Sequence, residues 1–468
     1  MADKVEVTGT PGTATEAEKP HQFGLAAAIA LIVGSIIGVG IFNLPTSLAA
    51  YGPITLVSML LTTVGALALA LLFASLSRRL PADGGPYAYA RVAFGNRLGF
   101  ANAWSYWITA WAGNAAIAVG WVLYVEHFIN KSHTRWITVL LVLVGLWLPA
   151  AVNLSGVKNI GSVQVVTTVI KFAALAFMST VGLFFISSAN FTPWNVSGES
   201  AINAIGGGMA IALFSYLGVE TAAVAAARVR NPDRNVPRAT ILGTIACAVV
   251  YILSLTAVFG ILPNSTLAKA TAPFSDAANA IFGGTWAGNV MAIAVIISGL
   301  GALNGWTMIC AEMPLAAADD GLFPQRFKHI SKNGVPAFGI IASTVLASIA
   351  MGINYIGSNG ATVFTTLVLM TGITSAIPYG FSALAQLKWR WIDHNQMHTP
   401  RFARDVIVAV LALVFSILFI IYSRNTGNSF WVYWAPYFLA AGALLLGIPI
   451  YLGQRRHLTQ PAPVPPYR

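Results

Sequence analysis

The sequence predicts an all-α polytopic membrane protein of twelve transmembrane helices. Ten of them form two five-helix repeats of inverted orientation, with helices 1 and 6 broken, and two more follow. Three observations predict this. The 468-residue chain is 57% hydrophobic and only 9% charged, with a mean hydropathy of +0.72, whereas soluble domains carry about 25% charge. Its apolar runs are about 20–30 residues long, the length that crosses a bilayer as helix. Two of those runs, five spans apart, are interrupted in ways that a regular helix in lipid does not tolerate.

The same observations exclude other classes. Transmembrane β-barrels show short alternating segments, and these runs do not alternate. The first apolar run is too long for the core of a signal peptide, lacks a small-residue cleavage pattern, and sits behind a polar tail, so it reads as a retained first span. The two cysteines, Cys247 and Cys310, lie inside spans without metal-ligand spacing, so neither a disulfide framework nor a metal site is implied. No Gly-x-x-x-x-Gly-Lys-Ser/Thr loop occurs, which leaves gradients as the driving force. All seven histidines (His21, His127, His133, His329, His394, His398 and His457) fall in predicted loops or tails. An intramembrane enzyme would need its nucleophile, base or metal ligands within the spans, and a channel would need rings of carbonyls or charges. No cofactor is expected.

In order, a polar tail (1–22) is expected to be disordered. Spans follow at about 23–51, 54–80, 98–128, 135–154, 159–187, 201–227, 239–262, 285–316, 336–355, 361–386, 405–422 and 430–453. The first repeat is then 23–200, the second 201–390, helices 11 and 12 occupy 391–453, and 454–468 is a proline-rich basic tail. With the N-terminus in the cytoplasm, outside loops hold only Lys131, Arg135, Lys269 and Arg424. Lys171 falls inside a span, and every other one of the 26 Lys and Arg residues lies on the cytoplasmic side. That asymmetry places both termini in the cytoplasm. It also accounts for the net charge of +11 without a nucleic-acid partner; the bilayer is the macromolecular partner.

The first interruption is Gly34-Ser35-Ile36-Ile37-Gly38-Val39-Gly40. Each glycine costs about 1 kcal/mol relative to alanine in a helix interior, and backbone freed from helical pairing in hydrocarbon costs several kcal/mol per group. Such a break persists where it lines a cavity, and its bare N–H groups can hold a substrate carboxylate. Taken alone, the segment could equally be a Gly-x-x-x-Gly packing surface. The sixth span decides between them: Gly206-Gly207-Gly208, then Phe214-Ser215-Tyr216-Leu217-Gly218-Val219-Glu220, is a second interruption that carries a carboxylate. An odd number of spans per half inverts the halves and sets the two breaks facing each other. Glu220, and Lys171 in span five, are charges at membrane depth and so functional candidates for gating or proton coupling. The alternatives are a structural carboxylate bonded to a neighbouring helix and a lysine that snorkels to the membrane edge.

These stretches, with Asp83-Gly-Gly-Pro-Tyr-Ala-Tyr-Ala90, Asn231-Pro-Asp-Arg-Asn-Val-Pro-Arg238 and Ala318-Asp-Asp-Gly-Leu-Phe-Pro324, resemble the amino acid–polyamine–organocation transporters. The resemblance runs from about residue 22 to about 450. It implies the five-plus-five fold of the leucine transporter, and a small-molecule amino acid or amine as substrate. Trp194-Asn-Val-Ser-Gly198 and Ala272-Pro-Phe-Ser-Asp-Ala-Ala278 are similar to the bacterial basic amino acid/polyamine antiporters, the arginine/agmatine antiporters especially, whose members are dimers.

By that resemblance Gly34, Ser35, Ile36, Gly38, Val39 and Gly40 hold the substrate α-carboxylate. The close antiporters have Asn at Ser35 and Ser at Val39, so a hydroxyl is missing here. Tyr106, Asn114, Phe214, Trp306 and Thr371 match positions around the distal cation. Trp306 matches a tryptophan that stacks on a guanidinium, a contact worth about 2 kcal/mol when desolvated. Phe214 stands where the close antiporters carry a gating tryptophan. Lys171 looks like a lysine that in many relatives replaces a sodium ion and ties the first helix to the eighth; arginine/agmatine antiporters lack it. Two functions remain: exchange of a cationic amino acid for its decarboxylated amine or another amino acid, and proton-coupled transport of neutral amino acids. Arg228–Arg238 reads as a charged cytoplasmic turn. Asp319 and Asp320 read as surface ion-pair partners of Arg326 and Lys328.

Overall fold

A computed structural model describes residues 24–80, 84–156, 160–221, 229–393, 400–426, 429–456 and 458. The predicted tails fall almost wholly outside these residues, as do Asp83 and Arg228. Among the described residues the chain is helical, and eleven helices are long and apolar enough to cross a membrane. The sixth predicted span is a shorter apolar stretch, Ala201–Tyr216.

Both interruptions are present. The first span is helical over Leu25–Ile36 (α1) and again over Gly40–Leu48 (α2). Gly34 and Ser35 therefore close α1, and the unwound residues are 37–39. In the sixth span, Ala201–Ala212 (α3) gives way to a 3-10 turn, Leu213–Tyr216, and then to non-helical turn through Glu220. The two interruptions meet. Gly218 has φ +102°, and a Cβ there would lie 2.9 Å from the carbonyl oxygen of Ser35. Only glycine supplies both that dihedral and that approach.

Around the breaks stand the scaffold helices. Asn96–Val125 (α4) is buried throughout its spanning length, as an all-round apolar helix must be. It lies along Trp286–Asp319 (α5) and Gly360–Ile392 (α6). Thr55–Arg79 (α7) and Pro232–Ile261 (α8) flank the broken helices. Ile160–Thr180 (α9) reaches α5 at Thr167, whose hydroxyl would be 2.3 Å from a Cβ on Gly301.

Two expectations about charges are corrected. Helix α8 begins at Pro232, so Arg234 and Arg238 ride on its first turns rather than in a turn between spans. Proline at the first helical position presets φ and forfeits no hydrogen bond, so the helix starts there. Asp319 does approach Lys328, at 3.8 Å, but Asp320 pairs with Arg91 at 2.6 Å and accepts from the Tyr87 hydroxyl at 3.1 Å. The partners come from the Pro86–Phe94 helix (α10), which no local spacing around Asp320 reveals.

Candidate substrate site

The break in the first span is asymmetric in its hydrogen bonding. Two of the carbonyls that end α1 accept from other elements. Lys171 Nζ donates to Gly34 O at 2.6 Å, and the Tyr251 hydroxyl donates to Ile36 O at 3.0 Å. Lys171 is fully buried on α9 and makes no ion pair among the described residues. Its cation sits at the C-terminal, negative end of a helix, where a positive charge is favoured. The amides that begin α2, those of Val39, Gly40 and Ile41, donate to no acceptor among the described residues. One half-helix end is thus capped by protein; the other is left bare, as an anion site requires.

Gly40 and Ile41, but not Val39, line a small cavity of about 20 Å³ between the two breaks. Ser35, Ile36, Gly38, Gly40, Phe214 and Trp306 line it, so these sequence candidates are brought together. Six lining residues that the sequence reading missed are Thr109, Gly113, Ile117, Ser215, Leu217 and Ile41. The first three recur at intervals of four on one face of α4, a signal that could have been read with Tyr106. Ser215 lay beside Phe214. The lining contains no charged side chain. About 20 Å³ has room for one water, so the rings of Phe214 and Trp306 must part to admit a substrate.

The other candidates stand behind this wall. Val39 points away, its methyl against Gly299 beside Trp121. Asn114 donates to Thr307 Oγ1 at 3.1 Å, while its buried Oδ1 has no partner among the described residues. Thr371 donates back to Leu367 O and Val368 O of its own helix, with its methyl behind Gly113. Tyr106 does not line the cavity but donates to Glu220 Oε1 at 2.7 Å, and Tyr379 donates to Oε2 at 2.9 Å. Glu220 is buried. It is therefore a three-element junction between the sixth span, α4 and α6, held by two phenols. Tyr379 carried no sequence signal, since nothing local distinguishes it from a packing aromatic. Lys171 contacts the first helix, and Thr167 of the same helix meets the eighth span at Gly301.

Paired broken helices around a mid-membrane cavity, with bare amides at one half-helix end, define a secondary transporter. The model of the amino acid permease family matches residues 23–443, and the chain belongs to that family. It is 31% identical to a putrescine transporter of Haemophilus influenzae over 402 residues, 85% of this chain and 91% of that one. An arginine/ornithine antiporter of Pseudomonas aeruginosa is 29% identical, covering 93% and 94% of the two chains. A cadaverine/lysine antiporter of Escherichia coli is 28% identical over 80% and 84%.

Proposed function

We propose that this protein is a secondary active antiporter that exchanges a cationic amino acid for its decarboxylated amine, or for another amino acid, by alternating access. The observation that carries the reading is the asymmetric break: the residues with bare amides at the start of α2, Gly40 and Ile41, line a cavity walled by Trp306 and Phe214. The amides take the α-carboxylate. The indole face takes the distal cation, with the unpartnered Asn114 Oδ1 close behind as a hydrogen-bond acceptor. A diamine lacks the carboxylate and binds through its ammonium groups alone.

The names borne by the relatives, antiporters of arginine, ornithine, lysine and cadaverine and a putrescine transporter, support exchange of cations over proton-coupled transport of neutral amino acids. Movement follows from the two halves: the broken helices rock against α4, α5 and α6, and Lys171 holds the α1 end while they do. The charge asymmetry of the loops supports both termini being cytoplasmic.

The test is radiolabelled uptake into proteoliposomes preloaded with arginine, agmatine, lysine, ornithine, putrescine, leucine or nothing, with and without an inward proton gradient. Uptake that requires a cationic counter-substrate inside is the expected result. Accumulation of a neutral amino acid in empty liposomes on applying the gradient would refute it.

A further inference from the structure

Helix α7 changes partners along its length. Its first half lies toward the face the loop charges assign to the outside. There three hydroxyls tie it to the sixth span. Ser58 donates to Ile205 O at 2.8 Å, Thr62 donates to Met209 O at 3.4 Å, and Thr63 shares a 2.6 Å hydrogen bond with the Tyr216 hydroxyl. Its start at Thr55 also follows the end of the first span at Leu48 by a short turn. Helix α7 is therefore joined to both broken helices and moves with them.

In its second half α7 meets α6 and the eleventh span, Pro400–Tyr422 (α11), at three levels. Nearest the cavity, Phe73 packs edge-on to Tyr379 with ring centroids 5.5 Å apart, and Tyr379 is one of the two phenols on Glu220. Next, the Ser75 hydroxyl accepts from Gln386 Nε2 at 3.0 Å and donates to Asp405 Oδ2 of α11 at 3.2 Å. Asp405 in turn accepts from Arg390 of α6. Last, the Arg79 fork donates to Asp393, from Nη1 to Oδ2 at 2.5 Å and from Nη2 to Oδ1 at 3.2 Å, and its guanidinium lies 5.1 Å over the Trp389 ring. Tyr379, Gln386 and Asp393 recur every seven residues, a single stripe along α6 and its C-cap. The final pair is no surface pair: the Arg79 and Asp393 side chains are 4% and 15% exposed. Exposed pairs contribute little, whereas two-point bonds between charges are strong and directional.

We propose that the Arg79–Asp393 pair, with Ser75 and Gln386 above it, is a cytoplasmic latch that holds α7 on α6 while the Glu220 junction is closed and must open before the cavity reaches the cytoplasm. The proposal rests on the alternating-access reading, in which the broken helices rock against α6. A contact whose two sides sit on bodies that move apart is made in one state and absent in the other, so it sets the balance between them. The latch shares no residue with the cavity wall, so it governs how readily the protein turns inward without touching substrate. Because Tyr379 and Asp393 lie on one stripe of α6, the junction and the latch part together.

The test is the side from which a cysteine in the cavity wall is labelled. Ser215→Cys is introduced into a Cys247→Ala/Cys310→Ala background of the full chain. A membrane-impermeant methanethiosulfonate is added to spheroplasts, which present the outer face, and to inverted membrane vesicles, which present the cytoplasmic face. Arg79→Gln/Asp393→Asn removes both charges together and so leaves neither buried alone. It raises the labelling rate from the cytoplasmic face about tenfold, the effect of losing one charged hydrogen-bonded pair, and lowers the rate from the outer face. Ser75→Ala removes a single oxygen at the middle level, shifts the two rates in the same directions by about threefold, and decides the matter if the double variant does not fold. A fold that is merely loosened raises both rates alike; that outcome, or unchanged rates, overturns the proposal. Labelling requires no transported substrate. If the protein exchanges nothing in proteoliposomes, the antiporter reading fails while the two rates still decide the latch.

Discussion

Gly40→Ala puts a methyl group where the two broken helices touch. The added Cβ would lie 2.6 Å from Phe214 Cδ1 and 2.7 Å from Cε1. Non-bonded carbons sit at about 3.5–4.0 Å, so the ring has to move by about 1 Å. It has little freedom to do so, being buried and packed edge-on to Phe364 at 6.0 Å and 87°. Overpacking of this kind costs about 1–3 kcal/mol. At 1.4 kcal/mol per factor of ten, the closed arrangement is disfavoured about 5- to 150-fold. The assay has two readouts: the thermal unfolding midpoint in detergent by intrinsic fluorescence, and the initial exchange rate in proteoliposomes. Both fall in Gly40→Ala. The clash involves only the δ and ε carbons of the ring, Cγ being 3.9 Å away. The double variant Gly40→Ala/Phe214→Val therefore recovers more of both readouts than the two single changes predict. A Gly40→Ala protein with wild-type midpoint and rate, or a double variant no better than additive, refutes the reasoning.

Three further outcomes follow from the same geometry. Trp306→Leu raises the KM for a cationic amino acid about 30-fold, the loss of about 2 kcal/mol for a desolvated cation on an indole, and an equal loss for leucine would show that Trp306 only shapes the cavity. Lys171→Met keeps the buried volume but removes the cation from Gly34 O, so stability falls by about 1.5–3 kcal/mol and exchange is lost; unchanged exchange with an unchanged midpoint contradicts the capping role. Tyr106→Phe and Tyr379→Phe each remove one donor to Glu220 at a cost of about 1.5–3 kcal/mol, and a double-mutant cycle on exchange rate gives non-additive effects because both phenols share one carboxylate. Full additivity would mean that Glu220 does not couple them.

Which segments are long and apolar helices, and where two of them cannot stay helical, is legible in the sequence alone. Span 135–154 is the observed helix Arg135–Leu154, and the glycine-rich stretch of the first span and the Phe214 stretch of the sixth contain the two breaks, at 37–39 and from Leu213. These are local properties. Hydropathy over about twenty residues and the backbone cost of glycine are summed along the chain and need no neighbour. Phe214 and Trp306 at the cavity were legible through their place in motifs shared with a known family.

Tertiary structure alone decided which polar groups meet. Lys171 caps a carbonyl 137 residues away, and Tyr379 holds a carboxylate 159 residues away. It also set Val39 against Gly299 instead of the cavity, and paired Asp320 with Arg91 rather than with the cations that follow it. In each case the side chain's own segment allows several directions. The choice belongs to the helix packed against it, because a buried polar group is stable only where a partner from another element satisfies it.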